Sequence, residues 1–248
     1  MSHSLLRSIQ AENGTKYDSD DWLERLSQIG CVVEGSNEES IEIEVFPDRP
    51  DLLSHETMAR AARAFLNEDS QQPTIETKDS GITLDVDSSL ESVRPIIMAA
   101  IVRGVNNGNA DDEKDQFIQS LMDHQEKLHL SLGRRRKFSS IGVHDLSTLS
   151  PPFRVVTVPG SHSFIPLAME EKMSIDNILS EHTKGIEYAH LMDNLEVYPV
   201  ILDSNDEILS FPPIINGQHT TVSESTTDFF IDVTGWDERA VEACLLLV

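Results

Sequence analysis

The feature that most limits the fold is the succession of short apolar segments after residue 80. GITLDV, RPIIMAAIVRGV, FSSIGV, FRVVTV, VYPVIL, EILSF and DFFIDVT follow one another through the second part of the chain. Each is short and rich in β-branched or aromatic residues, which suit a pleated, half-buried surface. The second carries a long apolar run fit for a sheet centre. Two helical patterns interrupt them. In DDEKDQFIQSLMDHQEKLHLSLG, Phe117, Leu121, Leu128 and Leu132 recur at helical spacing, with acids leading and bases closing, as the helix dipole favours. The other is SIDNILSEH, and Lys172-Met173-Ser174 before it reads as the helix start. Many strands and few helices predict an α+β domain built on a mixed or antiparallel sheet.

The first 80 residues read differently. DSDDWLERLSQIG opens on acids, sets Trp22, Leu23, Leu26 and Ile29 on one stripe, and stops at Gly30, so it predicts a short helix. IEIEVF (41–46) alternates like a strand. FPDRPDLLSHETMARAARAFL predicts a turn and then a helix capped by Ser54. Asp48-Arg49-Pro50-Asp51 within it reads as a salt-bridged turn, with packing between domains as its functional alternative. NEDSQQPTIETKDS (67–80) is polar and rich in breakers, hence a linker. The expected organisation is a small α/β amino-terminal domain with its linker (1–80), followed by the α+β domain (81–248). The closing WDERAVEACLLLV starts an amphipathic helix that breaks off, which suggests truncation at the carboxyl end.

Charge narrows the partners. Nineteen bases face 43 acids, a net charge of −24. Such a coat ordinarily repels nucleic acid, and adaptation to high salt, where repulsion is screened, is the favoured explanation. Yet between Lys127 and Phe164 six bases stand against the single acid Asp145, four of them consecutive: Arg134, Arg135, Arg136 and Lys137. A helix C-terminus accounts for one or two cations; four predict an anionic partner. Two cysteines, Cys31 and Cys244, make neither a disulfide framework nor a metal half-site. With no secretory signal and no membrane-length apolar run, the expected setting is cytoplasmic.

Several chemistries lack their motif. There is no GxxxxGK[ST] or GxGxxG phosphate loop, and Ser161-His162-Ser163 has the wrong context for a nucleophile elbow. The nine histidines are scattered without zinc-ligand spacing. His144 and Asp145 are neighbours on a strand and so point to opposite faces, which favours structural hydrogen bonding over a catalytic dyad.

Four segments, in order, resemble the β subunit of archaeal and eukaryotic phenylalanine–tRNA ligase. They are FPDRPDLLSHETMARAARAFL (46–66), QEKLHLSLGRRRKFSSIGVHDL (125–146), YPVILDSNDEILSFPPIING (198–217) and FIDVTGWD (230–237). PPFRVVTVP and EHTKGIEYAHL also fit. The resemblance implies that residues 82–240 form a tRNA-editing domain, which hydrolyses Tyr-tRNA(Phe) made in error. An apolar synthetic pocket rejects an added hydroxyl by only about a hundredfold. A second site that demands the hydroxyl supplies the missing discrimination.

Position by position, the resemblance puts Gln125 and Arg136 beside the terminal adenosine of the tRNA. Ser210, Asp232 and Thr234 would form the tyrosine pocket, with Ile201 as its apolar wall. Gln125, Arg136 and Thr234 are the candidates for the catalytic step; Arg134, Arg135, Arg136 and Lys137 are those for tRNA binding. No obvious nucleophile is present, so a positioned water attacking the aminoacyl ester, helped by the ribose hydroxyl, is the expected mechanism. No metal or cofactor is expected in this part; ATP and magnesium belong elsewhere in the full enzyme. The implied partners are the 3′ end of tRNA(Phe) and the ligase α subunit, with no membrane. Two alternatives remain at this point: a non-catalytic tRNA-binding or assembly module, and a free-standing trans-editing protein.

Overall fold

The computed structural model describes residues 1–66, 76–108 and 110–248; most of the expected linker, residues 67–75, lies outside the described residues. The amino-terminal unit contains α1 (His3–Glu12), α2 (Ser19–Arg25), the hairpin β1 (Cys31–Ser36) and β2 (Ile41–Val45), and α3 (His55–Leu66). Asp18 caps α2, and Gly30 takes φ +86° after the following turn, a conformation in which other residues are strained. The Ser54 hydroxyl accepts from Thr57 N, as its sequence position predicts. Two elements, α1 and β1, fall on residues for which no element is predicted. α1 is capped by Ser2 and buries Leu6 and the short polar Gln10 rather than a full apolar stripe. Leu6, Trp22, Leu26, Ile41, Leu52 and Met58 form one core.

The second unit contains β3 (Leu84–Val86), β4 (Ile96–Val102), α4 (Asp111–Leu130), β5 (Ser139–Asp145), β6 (Phe153–Pro159), β7 (Ser163–Phe164), β8 (Met173–Ser174), α5 (Ile175–Glu181), α6 (Thr183–Tyr188), β9 (Val197–Leu202), β10 (Ile208–Phe211), β11 (Ile215–Asn216), β12 (Phe229–Gly235) and α7 (Glu238–Leu247). The fold class is α+β. A five-stranded sheet runs β11-β10-β9-β6-β3, antiparallel except for the parallel β3–β6 pair. A three-stranded antiparallel sheet runs β4-β12-β5.

The strand β12 explains how these layers stack. Phe229, Ile231 and Val233 pack with Leu128 of α4 and Val241 and Cys244 of α7. Phe230, on the other face, packs with Phe153, Val155, Ile201 and Leu209 of the larger sheet. The small sheet therefore lies between the large sheet and two helices, and all seven residues of β12 are buried. No element is predicted over α6. Here a side chain on Gly185 would overlap the carbonyl of Ile178, so close packing of α5 and α6 requires glycine at this place. Ser174 caps α5 through Asn177 N, in keeping with the helix start read at Lys172-Met173-Ser174.

Candidate functional site

Two cavities of similar size stand out. One, about 720 Å³, lies between the amino-terminal unit and α4 and α7, lined by Phe117, Leu121, Phe229 and Ile231 with Arg49, Asp51 and Glu56 at its rim. Arg49 and Asp51 pair at 2.9 Å, which is the salt-bridged turn expected before α3. The buried His124 in this cavity bonds the Leu247 carbonyl. His55 Nδ1 with Ser120 Oγ, and Lys127 Nζ with the Leu53 carbonyl, join the two units. This cavity reads as a seam.

The other, about 690 Å³, opens along the outer edge of β5, between α4 and the β10–β11 turn. Its walls are Ile118, Met122, Ile141, Val143, Ile214 and Ile215; its polar groups include Gln125, Glu126, His129, Arg136, Ser210, Asn216, Thr220 and Asp232. An edge strand leaves backbone groups unpaired. Here side chains complete the edge: His129 Nε2 accepts from Ile141 N at 2.8 Å, the Gln125 amide donates to Ile141 O at 2.6 Å, and the Asn216 amide donates to Val143 O at 3.3 Å. Three groups of the edge are thus satisfied without a fourth strand, and the space one would have filled stays open.

The basic island splits in two. Arg134, Arg135 and Arg136 have φ of +48°, +55° and +64°, left-handed values that cost residues with a Cβ roughly 1–2 kcal/mol each. The turn sends Arg136 inward while Arg134, Arg135 and Lys137 stay exposed. Arg136 donates to Glu126 at 2.6 Å and to the carbonyls of Pro213 and Ile214, and its guanidinium lies 4.4 Å from the centre of the Tyr188 ring. Burial holds His129 below its usual range. The hydrogen bond from His129, together with the charge of Arg136, holds the Glu126 carboxyl at about 2. None of the exposed three, Arg134, Arg135 and Lys137, forms an ion pair among the described residues.

At the inner end stands Asp232, 1% exposed. Its Oδ2 lies 2.8 Å from His144 Nε2, and His144 Nδ1 lies 2.8 Å from the Thr220 hydroxyl. Gly142 is directly opposite Asp232 in the β5–β12 ladder, and a Cβ there would overlap the carboxylate. Asp145 faces away, accepting from Thr226 and Ser147. Ser210 donates to Asn216 Oδ1 at 3.2 Å.

Two sequence-predicted residues lie outside this lining. Ile201 is fully buried between the sheets among Phe153, Leu209 and Phe230, so it supports the floor and is no wall of the cavity. Thr234, two residues beyond Asp232 on the same face of β12, gives its hydroxyl to a buried arginine instead. Arg94 Nε donates to Thr234 Oγ1 at 2.7 Å, and its Nη2 reaches the carbonyls of Thr234 and Arg136 and the Ser140 hydroxyl. Burial lowers the Arg94 guanidinium to about 9, partly offset by Asp232. Gln125, Arg136, Ser210 and Asp232 are brought together around one cavity. Sequence reasoning missed Arg94, His129, Asn216 and the partnership of His144 with Asp232. His144 and Asn216 stood within motifs already singled out, but only the strand order shows what they meet.

Residues 93–244 match the family described as the B3/4 domain, so the cavity belongs to a chain of that class. Over 237 residues the chain is 44% identical to the phenylalanine–tRNA ligase β subunit of Methanococcoides burtonii, covering 96% of this chain and 43% of that one. With the β subunit of Methanosarcina barkeri the identity is 47%, over 96% of this chain and 42% of that one. The crystal structure of an N-terminal fragment of the phenylalanyl-tRNA synthetase β subunit from Pyrococcus horikoshii superposes with a TM-score of 0.89 at 32% identity, covering all of this chain and 70% of that one. The chain belongs to the phenylalanine–tRNA ligase β-subunit family. It spans about two-fifths of the length of the curated relatives it matches.

Proposed function

We propose that the cavity beside β5 hydrolyses tyrosine from mischarged Tyr-tRNA(Phe), in support of phenylalanine–tRNA ligation by the whole protein. The observation that carries this reading is a buried carboxylate, Asp232, at the inner end of a cavity whose walls include Ile118, Met122, Ile141, Val143, Ile214 and Ile215. A phenol brings a hydroxyl to such an acceptor; a phenyl ring leaves it unpaired, at a cost of about 1–3 kcal/mol. No group of three or more metal-ligating side chains is assembled among the described residues. A water attacking the ester, with the ribose hydroxyl assisting, is the mechanism adopted. ATP and magnesium, in this reading, serve the ligation step elsewhere in the protein, where the α subunit is the partner.

The direct test is to mix the chain with Tyr-tRNA(Phe) and Phe-tRNA(Phe) and follow deacylation. Faster loss of tyrosine is expected; equal inertness toward both would leave a binding or assembly module.

Binding of the tRNA end is assigned to the exposed cations. Replacing Arg134, Arg135 and Lys137 together with Ala is expected to weaken tRNA affinity and to reduce the slope of log affinity against log salt by about two, since each single-strand phosphate contact contributes about 0.7. Arg136 is left out of this group because its guanidinium is committed to Glu126 and two carbonyls. An unchanged slope across a salt titration refutes the assignment.

A further inference from the structure

We infer that His144 is a positioning residue: it fixes the rotamer of Asp232 so that one carboxylate oxygen is held by the imidazole and the other is offered to the amino-acid side chain in the cavity. The inference rests on the editing reading above and extends it to a residue that does not itself line the cavity.

The geometry is closed on every side but one. His144 is fully buried, and Asp232 is 1% exposed. A carboxylate only accepts hydrogen bonds, so the proton between the two groups belongs to His144 Nε2. That bond, 2.8 Å long, engages Oδ2. The opposite ring nitrogen lies 2.8 Å from Thr220 Oγ1, which also reaches the Gly217 carbonyl at 3.0 Å. The imidazole is thus tied at both ends, and the Phe230 ring lies 5.7 Å from it. Gly142 supplies the last condition, since its missing side chain leaves the space the carboxylate and imidazole share.

A free aspartate in a strand turns about two side-chain torsions and offers either oxygen in several directions. Recognition of one phenolic hydroxyl needs a single direction. An acceptor held within hydrogen-bond range in advance spends less ordering entropy when the substrate binds. The two nitrogens of His144 have separable jobs. Nε2 aims Asp232, and Nδ1 anchors the ring to Thr220.

Two substitutions separate them, because an asparagine amide lies near the place of Nδ1 and a glutamine amide near that of Nε2. His144→Gln keeps a donor for Asp232 and is expected to retain the kcat/KM ratio for Tyr-tRNA(Phe) over Phe-tRNA(Phe) within about threefold. His144→Asn keeps the Thr220 contact alone and is expected to lower that ratio at least about tenfold, with Phe-tRNA(Phe) hydrolysis unchanged. Thermal unfolding of both variants controls for folding. Proton NMR of the unsubstituted chain adds a reading that needs no change at His144: a ring N–H signal protected from exchange and abolished in Asp232→Ala. Equal ratios for the two variants, or no protected ring signal, overturn the inference while leaving editing intact. If the unsubstituted chain hydrolyses neither substrate, the editing reading fails and this inference falls with it.

Discussion

Asp232→Asn is expected to lower the hydrolysis of Tyr-tRNA(Phe) by one to two orders of magnitude while leaving the slow hydrolysis of Phe-tRNA(Phe) nearly unchanged. The asparagine carbonyl can still accept from His144, so the buried pair keeps its shape. What faces the cavity is then an amide NH₂ in place of an anionic oxygen. A hydrogen bond to a charged group is worth on the order of 1.5–3 kcal/mol, and only the tyrosyl substrate makes it. Asp232→Ala is a blunter probe. It strands the His144 donor and removes the nearby negative charge that partly offsets the burial of Arg94. Loss of selectivity and loss of stability are therefore expected together in that variant. Ser210→Ala, which removes a donor to Asn216, should reduce selectivity more mildly. Equal slowing of both substrates by Asp232→Asn would mean that the residue holds water or fold rather than the hydroxyl.

The second large effect is expected at Arg94. This guanidinium is buried and donates to four oxygens, three of them on β12 and β5 and the fourth on the turn that leads into β5, and none of them a carboxylate. Arg94→Leu removes every donor at once and leaves those acceptors without that partner. With each unsatisfied buried acceptor costing about 1–3 kcal/mol, the expected destabilisation is about 3 kcal/mol or more. In a chain of this size that corresponds to a fall in Tm of roughly 6–12 °C. Arg94→Lys should recover part of it, because one ammonium cannot replace a planar fork reaching several acceptors. Chemical or thermal unfolding measures both. A change below about 0.5 kcal/mol for Arg94→Leu would show that water satisfies these groups instead.

Local chemistry made some of this architecture readable in advance. The strands β4, β5, β6, β9, β10 and β12 coincide with apolar runs, and α4 and α7 with amphipathic ones, because burial enforces those periodicities. The cap at Ser54 and the stop at Gly30 were legible for the same reason. What stayed hidden depends on pairing between distant segments. Helix α6 carries its glycine for contact with α5, a need visible only once the two are packed. Arg94 sits beside Pro95 with nothing local to mark it, and its partners are 42 to 140 residues away. Ile201 and Thr234 owe their expected places in the pocket to the resemblance alone. Alternation settles the relation between positions on one strand, but the strand order decides whether a face meets a cavity, a sheet or a buried arginine. His144 illustrates both halves: alternation separates it from Asp145, and only the β5–β12 pairing supplies Asp232.

β12 has no surface of its own. One side holds Phe229, Ile231 and Val233 against the helices, and the other carries Phe230, Asp232 and Thr234 toward the larger sheet. Most functional groups sit where neighbours can drift without harm to the scaffold, so specificity and robustness evolve separately. That freedom is missing here. Inserting or deleting one residue in β12 would exchange the two sides, sending the carboxylate into the oily layer and an isoleucine into the cavity. Substitutions that retune the pocket are also substitutions in the scaffold. Changes in substrate choice in this lineage should therefore come through the polar fringe on α4 and the β10–β11 turn, while β12 itself changes slowly.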